Sequence, residues 1–395
     1  MITQAVVLAL DSSTSLRRVA GLTLVKRTLL TLARGGVRRA VVVADEAVRR
    51  AVEGDRDLAR VLEVEIGPPR ADGPFLLATA DHVFEPALVT LAADADLAGV
   101  DAVLFKELRG LCAATPAMLA HLDDPRVMNV REVSVGERFW LRVDSPEAAA
   151  RAEQALFRQL RKRVDGPVAR TVNRPMSLAV TRRIIDTGIT PNQISLFAGA
   201  LGLVGVALVF AAHGWLTLLA GALLLQVQSV LDGCDGEIAR LKFQQSPIGE
   251  WVDNVTDDVL NILYCAALGV AAARLTGAPW LVWPGIAGAV GFVIYCIVLY
   301  HQLATVHHSG SPFAFRFWFQ REGEDLKAAL DRPGIVTRVS AFFRAIGRRD
   351  AFILLFVGLV LVRLPQVASL WYAVVGVMNG GVCLVHVVMR GRARA

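Results

Sequence analysis

Cysteine is scarce in this chain of 395 residues. The five thiols, Cys112, Cys234, Cys265, Cys296 and Cys383, are scattered, and no CxxC pair or Cys/His spacing points to zinc or to a disulfide framework. They read as reduced packing residues, and His307-His308 finds no convincing metal partner in sequence. The opening MITQAVVLAL lacks a basic flank and a cleavage site, so it reads as a first β-strand and not as a signal peptide. Long apolar runs are missing from residues 1–165, where short apolar stretches alternate with charged ones. From about residue 194 onward such runs dominate. A chain that is 54% hydrophobic, with mean hydropathy +0.48, is too apolar for an ordinary soluble protein.

The front part has a βαβ rhythm. Strands are expected at 4–10, Val37–Ala44, Val61–Ile66, Phe75–Thr79 and Ala102–Phe105, with a helix over Leu22–Arg34 that stops at Gly35-Gly36. That order predicts a mainly parallel sheet in an α/β domain. A helical stretch near Pro146–Arg163 ends at Asp165-Gly166-Pro167, where the linker is placed. The expected organisation is therefore an α/β domain over 1–165, a linker with an amphipathic helix (Met176–Asp186) at the membrane surface over 166–193, and an all-α membrane domain over 194–395. Six apolar segments are expected at 194–213, 215–232, 252–273, 279–302, 351–363 and 369–389, the fifth of them short. Basic residues cluster in the connections after the second and fourth segments. The positive-inside rule then places both termini on the cytoplasmic side of the cell (inner) membrane. The net charge of +6, with arginines at segment flanks and at the C-terminus, suits anionic lipid headgroups and not nucleic acid.

Between the second and third apolar segments lies Asp232-Gly233-Cys234-Asp235-Gly236-Glu237-Ile238-Ala239-Arg240, followed by Gly249, Asp253 and Asp257. On a helix Asp232, Asp235 and Ala239 share one face, and Asp253 and Asp257 share another on the next helix. A charged side chain at a membrane helix centre costs roughly 2.5–3.5 kcal/mol on insertion scales, so such a cluster calls for a bound cation. Four carboxylates converging across a short turn would suit one or two Mg²⁺ or Mn²⁺ ions and phosphoryl transfer. Gly236 and Gly249 leave room for a ligand, and Arg240 is placed to pair with a phosphate oxygen. Glu237 and Asp258 fall off both faces and are expected to be solvated, and Ser246-Pro247-Ile248-Gly249 is expected to break the helix.

These residues resemble, at every position, the signature D-x2-D-G-x2-A-R-x8-G-x3-D-x3-D of the CDP-alcohol phosphotransferase family. The resemblance implies six membrane helices, a site at the cytoplasmic side and a homodimer. It implies that Asp232, Asp235, Asp253 and Asp257 hold metal and that Asp257 is the general base. Gly236, Ala239 and Arg240 would line the CDP site, with Gly249 beside them and Asn192, in Thr190-Pro191-Asn192, at the entry to the first membrane helix. The implied reaction is attack of a hydroxyl acceptor on the β-phosphorus of a CDP-alcohol, releasing CMP.

A second resemblance reaches the front domain. Asp165 through Ser177, Leu76 through Val83 and Trp140 through Glu147 are similar to fusions of an inositol-phosphate cytidylyltransferase with di-inositol-phosphate phosphate synthase. That implies a nucleotidyltransferase-like fold, with Asp81 and Asp144 as metal aspartates. Leu10 through Gly21 departs from the pattern. The glycines that would wrap a triphosphate are missing, Asp11 would repel phosphate, and Lys26 lies inside the expected helix. The domain is expected to keep the fold with weak or lost cytidylyl transfer, Asp81 and Asp144 being relics and His82 a local hydrogen-bonding residue. Arg348 and Arg349 are candidates for an acceptor phosphate, and Gly376-Val377-Met378-Asn379-Gly380 is a GxxxG packing face within one chain or between two. Two alternatives compete with the phosphotransferase: a bifunctional enzyme whose front domain makes the CDP-alcohol from CTP, and a cation-binding transporter.

Overall fold

The computed structural model describes residues 1–121, 129–160, 166, 168–307, 314–318 and 349–394. It divides into two compact units. The first comprises Met1–Leu160 with Ile185–Thr187 and Leu241–Phe243; the second comprises Arg161–Ile184, Gly188–Arg240 and Gln244–Ala395.

The first unit is an α/β layer structure. Its sheet contains β1 (Gln4–Ala9), β2 (Arg39–Ala44), β3 (Glu63–Ile66), β4 (Phe75–Thr79), β5 (Ala102–Phe105), β6 (Leu111–Ala114) and β7 (Val130–Val133), in the order β7-β5-β6-β4-β1-β2-β3. β1 pairs in parallel with β2 and β4, β2 with β3, and β5 with β7, whereas β6 runs antiparallel to both β4 and β5. Mainly parallel pairing is what the βαβ rhythm predicts. The antiparallel β6, Leu-Cys-Ala-Ala, escapes sequence reading because it is short, fully buried and without alternation. Helix α1 (Leu24–Arg34) stops at Gly35 as expected, but Leu22–Thr23 forms a short strand before it. Helix α2 (Pro146–Gln159) is capped by the Ser145 side chain on the Ala148 N–H and opens with proline at N1.

The second unit is helical: α3 (Arg174–Ile184), α4 (Pro191–Phe210), α5 (Trp215–Leu241), α6 (Pro247–Thr276), α7 (Val282–Gln302), α8 (Arg349–Leu361) and α9 (Pro365–Arg394). Local chemistry starts and stops these helices. Thr190 and Gln193 form a capping box at α4; Ser246 accepts the Gly249 N–H at α6; and α6 ends on Gly277 in the left-handed region. Five helices are long and apolar enough to cross a bilayer. The expected fifth segment is present as α8, but its 13 residues are too short to meet that criterion alone. At 1.5 Å per residue it reaches roughly 20 Å against a hydrocarbon core of about 30 Å. Large apolar residues such as Leu196, Phe197, Trp283, Val290 and Ile297 face outward. A surface of that kind is untenable in water and ordinary in lipid, so this is a multi-pass membrane protein.

One expectation changes here and an open one is decided. The acidic motif lies on helices, as its spacing implies, and α5 and α6 run on beyond their apolar windows to carry it. Ser246 to Gly249 is the cap and first turn of α6, and the break falls just before it, where Phe243 takes a φ of +58°. The GxxxG is used within the chain. A Cβ at Gly376 or Gly380 would collide with the backbone of Gly288 or Gly291, so these glycines bring α9 and α7 into backbone contact.

Candidate active site

Arg349, the first residue of α8, gathers the two halves of the motif. It stands there because Phe352 and Phe356 of α8 pack on Tyr372 and Tyr264, with ring centroids 4.4 and 5.0 Å apart. Its Nη1 lies 3.9 Å from Asp232 of α5 and forms an ion pair with Asp257 of α6; its Nη2 donates to Gln228 Oε1 at 2.6 Å. Asp235 is buried and accepts hydrogen bonds from the Ser195 hydroxyl and the Gly236 N–H. Asp253 meets Asp235 across the two helices, and Asp232 interacts electrostatically with all three other aspartates. The motif's two faces therefore do come together.

They come together more loosely than the spacing implies. Among the described residues, no three carboxyl, imidazole or thiol groups converge tightly enough to form a metal-binding group. Arg349 is wedged between Asp232 and Asp257, and its one positive charge does not balance four carboxylates. An all-oxygen donor set of aspartates with a single arginine between them fits a hard divalent cation.

The residues expected to hold CDP sit as follows. Arg240 folds back over Gly236, where a Cβ would lie 3.3 Å from its guanidinium nitrogen. Asn192 Oδ1 is 3.6 Å from the Cβ position of Gly249, so the starts of α4 and α6 are adjacent. Ala239 lies in the last turns of α5, and its carbonyl accepts the Gln244 N–H at 2.8 Å. Arg349, expected on an acceptor phosphate, is engaged with carboxylates instead. Arg348, Asp165, Pro167 and His308 lie outside the described residues.

Glu237 and Asp258 are not solvated. Glu237 is fully buried, and Asp258 accepts a 2.6 Å hydrogen bond from the Tyr300 hydroxyl. Helical phase correctly turned both away from the acidic faces, but on a multi-helix bundle the opposite side is also interior. Ser195 and Gln228 also escaped sequence reading. Ser195 follows Asn192 by three residues and Gln228 precedes Asp232 by four, so same-face spacing was an available signal for both.

In the first unit, Asp81 is used up locally. Its oxygens engage His82 Nδ1 at 2.7 Å and Arg142 Nε at 3.1 Å. Burial pushes its carboxyl up, but hydrogen bonds with His82 and Thr79 and the His82 charge outweigh that and hold it well below the usual carboxylate range. His82, buried and also bonded to Thr79, is the local hydrogen-bonding residue expected. Asp144 is exposed. Asp11 caps a four-residue helical turn, Ser12–Ser15, accepting from the Ser13 N–H, the Ser13 hydroxyl and the Thr14 hydroxyl at 2.7–2.9 Å. Lys26 is held 2.8 Å from both Asp55 and Asp57.

Comparison with known proteins bears on the second unit most directly. The sequence model of the CDP-alcohol phosphatidyltransferase family matches residues 188–328, a segment that contains the whole acidic motif. Over 340 residues the chain is 30% identical to a protein of Rubrobacter xylanophilus named bifunctional IPC transferase and DIPP synthase, covering 70% of this chain and 76% of that one. A protein of the same name from Aquifex aeolicus is 32% identical over 133 residues, 33% of this chain and 30% of that relative. Among solved structures, the inositol-1-phosphate CTP transferase from T. maritima aligns with 37% of this chain and 91% of its own, at 18% identity and a TM-score of 0.29. By the relative matched along most of its length, and by the motif that its helices α5 and α6 assemble, this chain belongs to the CDP-alcohol phosphatidyltransferase family and is a transferase of phosphate-containing groups.

Proposed function

We propose that Asp232, Asp235, Asp253 and Asp257 hold one or two divalent cations, Mg²⁺ or Mn²⁺, against the diphosphate of a CDP-alcohol. The observation that supports this reading is the bridge of Arg349 between Asp232 on one helix and Asp257 on the next, with Asp253 meeting Asp235 across the same two helices. When bound, such cations supply positive charge that offsets the diphosphate and the departing CMP. The chain's residues do the rest. Gly236 and Ala239 present a flat helix face to the cytidine, Arg240 reaches the diphosphate, and Gly249 with Asn192 closes the side of the pocket. Asp257 takes the proton from the acceptor hydroxyl as its oxygen attacks the β-phosphorus; the bond from that phosphorus to the bridging oxygen breaks and CMP leaves. Asp257 must part from Arg349 to do so, which frees that guanidinium for an acceptor phosphate beside Arg348.

On this reading the domains run 1–165, 166–193 and 194–395. The site opens on the cytoplasmic side of the cell membrane, and the donor is an inositol-type or diacylglycerol CDP-alcohol. The protein works as a homodimer whose seam is not the α9 glycine motif, a point that cross-linking in native membranes tests. The deciding experiment is a CMP-release screen of the purified protein with CDP-inositol and CDP-diacylglycerol against polar and lipid acceptors. Turnover that Asp257→Asn abolishes supports the reading; cation flux without CMP favours a transporter.

A second reading has the first unit making the CDP-alcohol, and the word bifunctional in both relatives' names favours it. Against it, Asp11 already takes up the hydroxyls and amide of its loop, and Lys26 is committed to two aspartates. Pyrophosphate release by the full chain from CTP and a polyol phosphate would establish it.

A further inference from the structure

Glu237 lies inside the acidic motif yet takes no part in the chemistry above. It follows Asp235 by two residues and Asp232 by five, so on a 3.6-residue helix it points about 200° and about 140° away from them. Its side chain has 0% exposure and three donors, all from α3: Arg174 Nη1 and the Ser177 hydroxyl on Oε1, and the Thr181 hydroxyl on Oε2, each at 2.6 Å. Ser177 and Thr181 are themselves buried. The two α5 residues before it on the same side are also against α3. A Cβ at Gly233 would lie 3.3 Å from Ser177, and the Cys234 thiol approaches the Ser177 carbonyl at 3.5 Å.

A buried carboxylate with one charged and two hydroxyl donors is an expensive way to join two helices, because an apolar pair of the same volume would hold them at least as well. What the ionic group adds is direction: three donors on one carboxylate fix its plane and, with it, the rotation of α5. Direction matters at this turn. Gly233 and Gly236 lie one turn apart beside the metal-facing aspartates, and glycine in a helix interior costs about 1 kcal/mol relative to alanine and leaves the backbone loose. A carboxylate roughly 6 Å from the helix axis moves ~2 Å for a rotation of about 20°, enough to spoil an oxygen cage for a small ion.

We propose that Glu237, held by Arg174, Ser177 and Thr181, is a positioning residue that sets the rotation of α5 so that Asp232 and Asp235 face the divalent-cation site. The amphipathic helix α3 is then the bracket of the active site as well as a surface element. The inference rests on the reading that those aspartates bind metal.

The test is Mn²⁺ binding followed by electron paramagnetic resonance on the full-length protein in detergent, without nucleotide, together with CMP release as a function of Mn²⁺. Glu237→Gln and Arg174→Met should each weaken Mn²⁺ binding about tenfold and raise the Mn²⁺ needed for half-maximal turnover by the same factor, with most of kcat recovered at saturating Mn²⁺. The double variant should be no worse than either single one, since each removes the same clamp. If Glu237→Gln does not fold, Thr181→Val and Thr181→Ser replace it: loss of the hydroxyl should weaken binding severalfold, and serine should restore it. Mn²⁺ affinity within twofold of wild type in Glu237→Gln or Thr181→Val, or strictly additive losses in the double variant, would overturn the clamp. Asp232→Asn separates the two claims. If it leaves Mn²⁺ binding intact, the metal reading fails; if it abolishes binding while Glu237→Gln has no effect, only the clamp fails.

Discussion

Two groups of aspartates differ in what surrounds them: in the α/β unit Asp81 and Asp144 were expected to be relics of a metal site and Asp11 to repel phosphate, whereas four in the helical unit were expected to hold metal. In the α/β unit, Asp81 is matched by His82 and Arg142, and Asp11 is filled by the hydroxyls and amide of its own loop. In the helical unit, Asp232 and Asp257 share the guanidinium of Arg349, and Asp253 meets Asp235 across the same two helices. A carboxylate whose partners are all supplied by the chain has no need of a cation, whereas a buried cluster that the chain leaves under-compensated does. The residue type is the same in both places; what differs is how many donors the chain itself supplies.

The largest effect should come from breaking the under-compensated cluster. Asp257→Asn or Asp232→Asn should lower CMP release by about 10²–10⁴-fold or more, with the protein still in the membrane fraction. Near-wild-type rates would place the two groups on the same footing. Next, Gly376→Leu should prevent α9 from reaching α7 and give little folded protein by gel filtration, because its side chain would have to enter the Gly288 backbone. Gly236→Ala sharpens the comparison further. Its Cβ meets the Arg240 guanidinium, so KM for the CDP donor should rise roughly tenfold, about 1.4 kcal/mol, with the fold intact. The smallest effect belongs to the filled group. Asp11→Ala should leave CMP release unchanged and should not create pyrophosphate release from CTP; a gain or loss of CTP turnover would show that the loop is a working site.

Sequence reading carried far in the helical unit and less far in the other. Apolar runs placed each membrane helix, because windows of that length have few other uses. They stopped α5 at residue 232 and started α6 at 252, because the polar motif ends the apolar run although the helix continues. In the front unit β1 to β5 were legible from their apolar runs and turn residues, whereas β7, Val-Arg-Glu-Val, was not, because it is short and mostly exposed. Strand β6 was not, because Leu-Cys-Ala-Ala has no period of its own and becomes a strand only between β4 and β5.

The candidate site divides the same way. Spacing alone put Asp232 with Asp235 and Asp253 with Asp257, since helical phase is a property of the local chain. It also turned Glu237 and Asp258 away from those faces, but whether that other side met water or protein depended on neighbours far along the chain. Arg174, Ser177 and Thr181 for Glu237, Tyr300 for Asp258, Ser195 for Asp235 and Arg349 for Asp257 all come from other helices. Local pattern says which way a side chain points. Only packing says what it points at, because burial and counter-charge are supplied by residues dozens to more than a hundred positions away.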